Sequence, residues 1–119
     1  FEPDPSNLGR LRQTVAEHAS RVEIVQAAVT ADEVSCVPFT FMGRYGHETR
    51  PGEPPGVEVP AIPVANLLRG VAADAGRIDL VKIDTEGSEA ELVAAIPGEL
   101  EIGAVVYEDR QGFTRWVYP

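Results

Sequence analysis

Three acidic residues stand where strands of an α/β chain would end. Glu2 follows Phe1, Asp84 closes the apolar run 78–83 with Glu86 two residues on, and Glu108 closes the run 102–107. In open α/β sheets, ligands bind beyond the carboxyl ends of strands, where the strand order reverses. A carboxylate at such a place can accept hydrogen bonds from both vicinal hydroxyls of a ribose, and Glu2 is placed for that role. Its alternative is purely structural, a negative charge near the positive end of the following helix. Asp84-Thr85-Glu86-Gly87 also has two compatible readings. Asp84 or Thr85 can cap a helix with Glu86 in its first turn, or the carboxylates can face a ligand.

The other reactive side chains are fewer. Lys82 sits in an otherwise apolar run and needs a carboxylate partner, for which Glu86 or Glu89 is available. His47 lies in a glycine- and proline-rich stretch beside Arg44, Tyr45 and Glu48; if that stretch closes over a substrate, His47 is a candidate general base. His18 falls off the apolar stripe of the first helix and is expected in solvent. Cys36, the single cysteine, excludes an internal disulfide and a cysteine-rich metal site. Lying in the apolar stretch 34–42, it is expected to be buried and inert. Asp84, Glu86 and Glu108 together could hold magnesium, but no metal is expected. Phosphate-loop, zinc-protease, nucleophile-elbow and dinucleotide glycine motifs are absent.

These residues must be positioned by the elements around them. Asp4 can cap a helix over 5–19, with Pro5 at its first position and Leu8, Leu11 and Val15 on one face. Strands are expected over 22–29, 34–42 and 57–62. Pro38 should place the second of these at a sheet edge or in a bulge. Residues 43–56 hold four glycines and three prolines and are expected as a mobile loop. A helix over 64–75 is stopped by Gly76. A strand over 78–84, with little alternation, should be covered on both faces. A helix over 88–96 and a strand over 102–107 follow; 109–119 is ambiguous. Strands alternating with helices imply an α/β fold with a doubly wound, mostly parallel sheet, residues 34–62 being the exception and a candidate hairpin.

The 119 residues suffice for one domain, and their net charge is −9. Such acidity argues against nucleic acid and anionic membrane surfaces as partners. No apolar run approaches the roughly 18 residues of a membrane span. A small-molecule partner and a cytoplasmic setting are expected, and a homo-oligomer is compatible with both. Because the first residue is Phe1, the chain is expected to be a piece of a longer protein.

Two stretches carry a family resemblance. The opening FEPDPSNLGRLRQTVA resembles the Phe-Glu-Pro-x-Pro segment of FkbM-type methyltransferases, and RIDLVKIDTEGSEAELV (77–93) resembles their Ile-Asp-x-x-Lys-Ile-Asp-x-Glu-Gly-x-Glu signature. VEVPAIPVANLLRG and IGAVVYED are similar to the segments that flank that signature. The resemblance implies a Rossmann-like methyltransferase fold, S-adenosylmethionine as cofactor, and O-methylation of a small-molecule hydroxyl of sugar or polyketide type. It implies that Glu2 holds the cofactor ribose, that Ala28 and Val29 lie against the adenine, and that Asp84 and Glu86 face the methyl-transfer site, Asp84 also contacting the cofactor. Val64-Ala65 stands where the family often has Leu-Asp, so any role of that aspartate is lost. The competing expectations are a non-catalytic or degenerate Rossmann-like interaction domain, and a dehydrogenase whose Glu2 holds an NAD ribose.

The resemblance also implies that the fold is incomplete here. The first strand, its glycine-rich turn and the family's terminal antiparallel hairpin are expected to lie outside these residues. Residues 1–119 alone should therefore bind S-adenosylmethionine weakly or not at all. Isothermal titration beside the full-length protein checks this, and equally tight binding by both would overturn it.

Overall fold

The computed structural model describes residues 1–42, 45–54, 56–85, 87–108 and 114–117. The chain divides into two compact units, residues 1–29 with 34–62, and residues 30–33 with 63–119.

The first unit opens with α1 (Pro5–Thr14), started as expected by Asp4, whose Oδ1 accepts the Ser6 amide at 2.7 Å. The helix is shorter than expected. After Val15 the chain tightens into a 3-10 turn, Ala16–Arg21, with no buried residue. Leu8 is the buried anchor of α1. Beyond Val15 the sequence offers no apolar face to hold an α-helical ladder against a core. The strand expected over 22–29 shrinks to β1 (Ala28–Thr30). A strand exists only where another backbone pairs with it, and residues 22–27 have no ladder partner among the described residues.

β1 is followed by β2 (Cys36–Met42), β3 (Tyr45–Glu48) and β4 (Val57–Pro63), in the spatial order β1-β4-β2-β3. β2 runs antiparallel to both β3 and β4. The stretch expected as a loop thus contains a strand, and β2 is interior rather than an edge. The prolines explain how this is tolerated. The Ala61 amide donates to the Ser35 carbonyl at 2.9 Å, which makes Val59–Val37 and Val57–Phe39 the hydrogen-bonded pairs of the β2/β4 ladder. Pro38 and Pro60 then fall on the intervening positions, where that ladder needs no N–H. Pro38 still accepts from the Thr49 amide at 2.8 Å on its other side.

Alternation gives this sheet two chemically distinct faces. Val37, Phe39, Val59 and Ala61 pack with Ala28 and the half-buried Phe41 as an apolar cluster. Cys36, Pro38, Thr40, His47 and Glu58 point to the opposite face, because residues directly across an antiparallel ladder share a side. Gly46 admits the Phe39 ring, which a Cβ there would overlap.

In the second unit, α2 (Val64–Ala75) matches its expected span and is stopped by Gly76 at φ 83°. β5 (Ile78–Ile83) leads to α3 (Glu89–Ala94) and β6 (Ile102–Glu108), which runs parallel to β5. β7 (Thr114–Val117) pairs antiparallel with β6, so an antiparallel strand does close this sheet. α2 packs on β5 and α3 on β6. The core holds Val64, Leu68, Ile78, Ile83, Leu92, Ile102, Val105 and Val106.

The chain is mixed α/β as expected. Among the described ladders, only β5/β6 is shown parallel, whereas β2/β3, β2/β4 and β6/β7 are antiparallel. The reason lies in connection length. Short links join β2, β3 and β4, while the β5-to-β6 link carries a helix and so permits a parallel crossover. β5 is not covered on both faces, because Asp79, Leu80 and Lys82 are exposed and Leu80 is 56 % accessible.

Leu92 is 1 % accessible, so Leu92→Ala should cost about 3 kcal/mol through lost transfer energy and a residual cavity. Leu80→Ala should stay within about 0.5 kcal/mol. Urea titration of the two variants checks the contrast, and equal losses would overturn this account of the core.

Candidate functional site

The loop after β5 is built around Glu89. Glu89 is 7 % accessible, and its carboxylate turns back onto Thr85 and Gly87. Its Oε1 accepts the Thr85 amide at 2.9 Å and the Gly87 amide at 3.0 Å, and its Oε2 accepts the Gly87 amide at 2.9 Å. Burial pushes the carboxyl upward, but the amides of Glu89, Gly87 and Thr85 and the Thr85 hydroxyl outweigh it and hold it below its ordinary value. Gly87 sits at φ 125°, a conformation that L side chains rarely adopt. Neither Asp84 nor Thr85 is the helix cap; the capping residue is Ser88, whose side chain makes no cap hydrogen bond. The Ser88 hydroxyl donates instead to the Thr85 hydroxyl at 3.0 Å.

Asp84 is exposed at the mouth of this loop, and its Oδ2 accepts from the Lys82 ammonium at 2.5 Å. Among the described residues the partner of Lys82 is therefore Asp84 rather than Glu89. Both side chains lie more than half in solvent, so the pair orients Asp84 more than it stabilises the fold. Asp84 Oδ1 has no hydrogen-bond partner among the described residues. Glu86 lies outside the described residues, and Glu108 is exposed at the end of β6.

In the first unit, Glu2 is half-buried and its Oε1 accepts the Asp4 amide at 2.8 Å. Its own amide donates to the Val25 carbonyl at 3.1 Å. Glu2 thus stands at the start of α1 and is held there by backbone. Ala28 lies within β1 and belongs to the apolar cluster, while Val29 is half-buried on the alternate side.

His47 lies on β3, and its Nε2 sits 3.1 Å and 3.0 Å from the two carboxylate oxygens of Glu53. Glu53 is fixed in turn by the Arg50 amide, which donates to Oε2 at 2.9 Å. That amide first, and then His47, holds the Glu53 carboxyl below its ordinary value. The Thr40 and Thr49 hydroxyls meet at 2.8 Å on the same region of the sheet. His18 is exposed. Cys36 is exposed rather than buried. Its hydrogen bond to Glu58 and that residue's negative charge push the thiol up, so it remains a poor nucleophile.

Glu53 and Glu89 went unnoticed as organising residues. The Pro51-Gly52 turn that precedes an acid six residues after His47, and the acid two residues after Gly87, were the available signals. Among the described residues, no group of three His, Cys, Asp or Glu side chains gathers as metal ligands do, and no helix is long and apolar enough to cross a membrane.

Removing Glu89 strands two amides. Glu89→Ala should cost about 2 kcal/mol, and Glu89→Gln less. The Glu89 carboxyl is depressed in the folded state, so its contribution is present above the unfolded value of about 4.3 and fades as pH falls through the folded one. The stability gap between wild type and Glu89→Gln should therefore narrow on acidification. A gap that stays constant from neutral pH down through the carboxylate range, followed by urea titration, would overturn the assignment.

Residues 1–111 match the family described as the methyltransferase FkbM domain. No curated protein and no solved structure matches the chain. The match spans both the Phe1-Glu2-Pro3 opening and the Lys82-to-Glu89 signature, and the chain belongs to the FkbM methyltransferase family.

Proposed function

We propose that this methyltransferase-family chain takes S-adenosylmethionine as its methyl donor and methylates a hydroxyl of a small molecule, of sugar or polyketide type. The observation that carries the proposal is the family match over residues 1–111. A Rossmann-like, doubly wound sheet belongs to the same proposal, and β5-α3-β6 supplies the parallel crossover such a sheet is built from. A reducing, cytoplasmic setting fits the single thiol.

The residues present fit the donor in part. Of the about four lone-pair positions on the Glu2 carboxylate, the Asp4 amide takes one and orients the group, leaving the others for ribose hydroxyls. Val29, half-buried, can lie against an adenine. Ala28 fits less well, because its methyl group is already part of the core. S-adenosylmethionine, when bound, supplies a methyl group activated by a sulfonium. The work left to the chain is to hold the acceptor in line and to take its proton. Within the second unit, Asp84 leaves Oδ1 open to a hydrogen-bond donor while Lys82 occupies Oδ2. His47 is the proposed proton acceptor.

Glu2→Gln keeps an oxygen for the Asp4 amide but removes the charge. It should raise the dissociation constant for S-adenosylmethionine roughly 10-fold in the full-length protein. Titration calorimetry reads this, and unchanged affinity would overturn the role of Glu2. A screen with tritiated methyl donor should label methyl glycosides or hydroxy-ketones on oxygen. Failure of the full-length protein to bind the donor, or transfer to nitrogen or carbon alone, would overturn the function.

A further inference from the structure

The polar face of the β2–β4 sheet contains one assembly that its fold does not require. His47 is only 16 % accessible at its side chain, although it points away from the apolar cluster. The return of the chain after β3 supplies its partner. The Thr49 amide binds the Pro38 carbonyl, and the Glu53 amide closes a turn onto the Arg50 carbonyl at 3.1 Å, with Gly52 at φ 92°. This turn places the Glu53 carboxylate on the imidazole, and the Arg50 amide fixes the carboxylate there.

The chemistry of that contact selects one form of the ring. An ionised carboxylate only accepts hydrogen bonds, so Nε2 must carry the proton. Glu53 remains ionised at neutral pH, because the Arg50 amide and His47 both favour its charged form. In a neutral imidazole, Nδ1 is then bare. It makes no hydrogen bond among the described residues. No described side-chain nitrogen or oxygen is both buried and unpartnered, so Nδ1 is not sealed from solvent.

We propose that Glu53 is a positioning residue that holds His47 as its Nε2–H tautomer, so that Nδ1 is the atom that accepts the proton of the acceptor hydroxyl. The proposal rests on the methyltransferase reading above. In the step, the hydroxyl O–H bond breaks and an Nδ1–H bond forms. The electron pair stays on the oxygen that takes up the methyl group. The imidazolium formed is paired with Glu53 and returns its proton to water. The arrangement favours a hydroxyl acceptor over an acidic one, because a carboxylic acid is already deprotonated at neutral pH and needs no base.

Nitrogen-15 spectra of the imidazoles in the full-length protein test the tautomer without any acceptor. Within residues 1–119 the histidines are His18 and His47, and the signals that vanish in His47→Asn assign the His47 ring in the full-length protein. His47 should show a protonated Nε2 and a bare Nδ1 at pH 8. In Glu53→Gln the preference should disappear, because an amide can either accept from or donate to Nε2. A protonated Nδ1 in the wild type, or the same tautomer in Glu53→Gln, overturns the proposal. With whichever methyl glycoside or hydroxy-ketone is labelled in the screen above, His47→Asn should lower kcat on the order of 100-fold, and Glu53→Gln roughly 10-fold. Donor affinity should be unchanged in both variants. Unaltered kcat overturns the proposal. If no hydroxyl compound is labelled, the methyltransferase reading falls and the catalytic role of the pair falls with it, while the spectra still decide whether Glu53 sets the tautomer.

Discussion

Backbone amides left over at helix starts and in tight loops must find acceptors, and here carboxylates supply them. Glu2 takes the Asp4 amide, Asp4 takes the Ser6 amide, Glu53 takes the Arg50 amide, and Glu89 takes those of Thr85 and Gly87. An amide buried without a partner costs about as much as a lost hydrogen bond, and a charged acceptor makes a stronger bond than a neutral one. Part of the strongly acidic composition is thus structural. These acids bend the chain at the places where the candidate chemistry sits.

The same contacts preorganise the candidate groups within each unit. A carboxylate that is already held by backbone loses little freedom when a ligand arrives. Glu2 has spare lone pairs after satisfying Asp4, so capping and ligand binding are compatible. Glu89 differs, because both of its oxygens are occupied and it is buried. It serves the loop, and the exposed Asp84 at the mouth of that loop is the side chain left to act. Lys82 then sets which oxygen of Asp84 remains available.

The prolines of β2 and β4 obey the same rule from the other side. They remove donors, and the register places them where the ladder between these strands has none to lose. On its other side Pro38 lies opposite Thr49, one residue past the end of β3, so its missing N–H costs that ladder only a terminal bond and an interior place is tolerated. The alternation that buries Val37 and Phe39 also sends Thr40, His47 and Glu58 to the opposite face. One face stabilises this sheet, and the other is free to carry polar chemistry.

Much of this was legible in order along the chain. The Asp4 cap, the α2 span with its Gly76 stop, the β5-α3-β6 alternation and the family signature all depend on residues close together in sequence. Capping, helical periodicity and glycine conformation act over a few residues, so a sequence states them directly. The rest depended on which backbone came to lie beside which. β1 shortened because a strand needs a partner, and β2 became interior because β3 formed inside a glycine-rich stretch. Cys36 turned outward with the register of its strand. Lys82 chose Asp84, Glu89 turned back onto its own loop, and Glu53 closed onto His47. Each of these choices pits one nearby acid or pairing against another of similar local propensity. Only the folded backbone brings the competitors to definite distances, and the Coulomb and hydrogen-bond energies that decide between them fall steeply with distance.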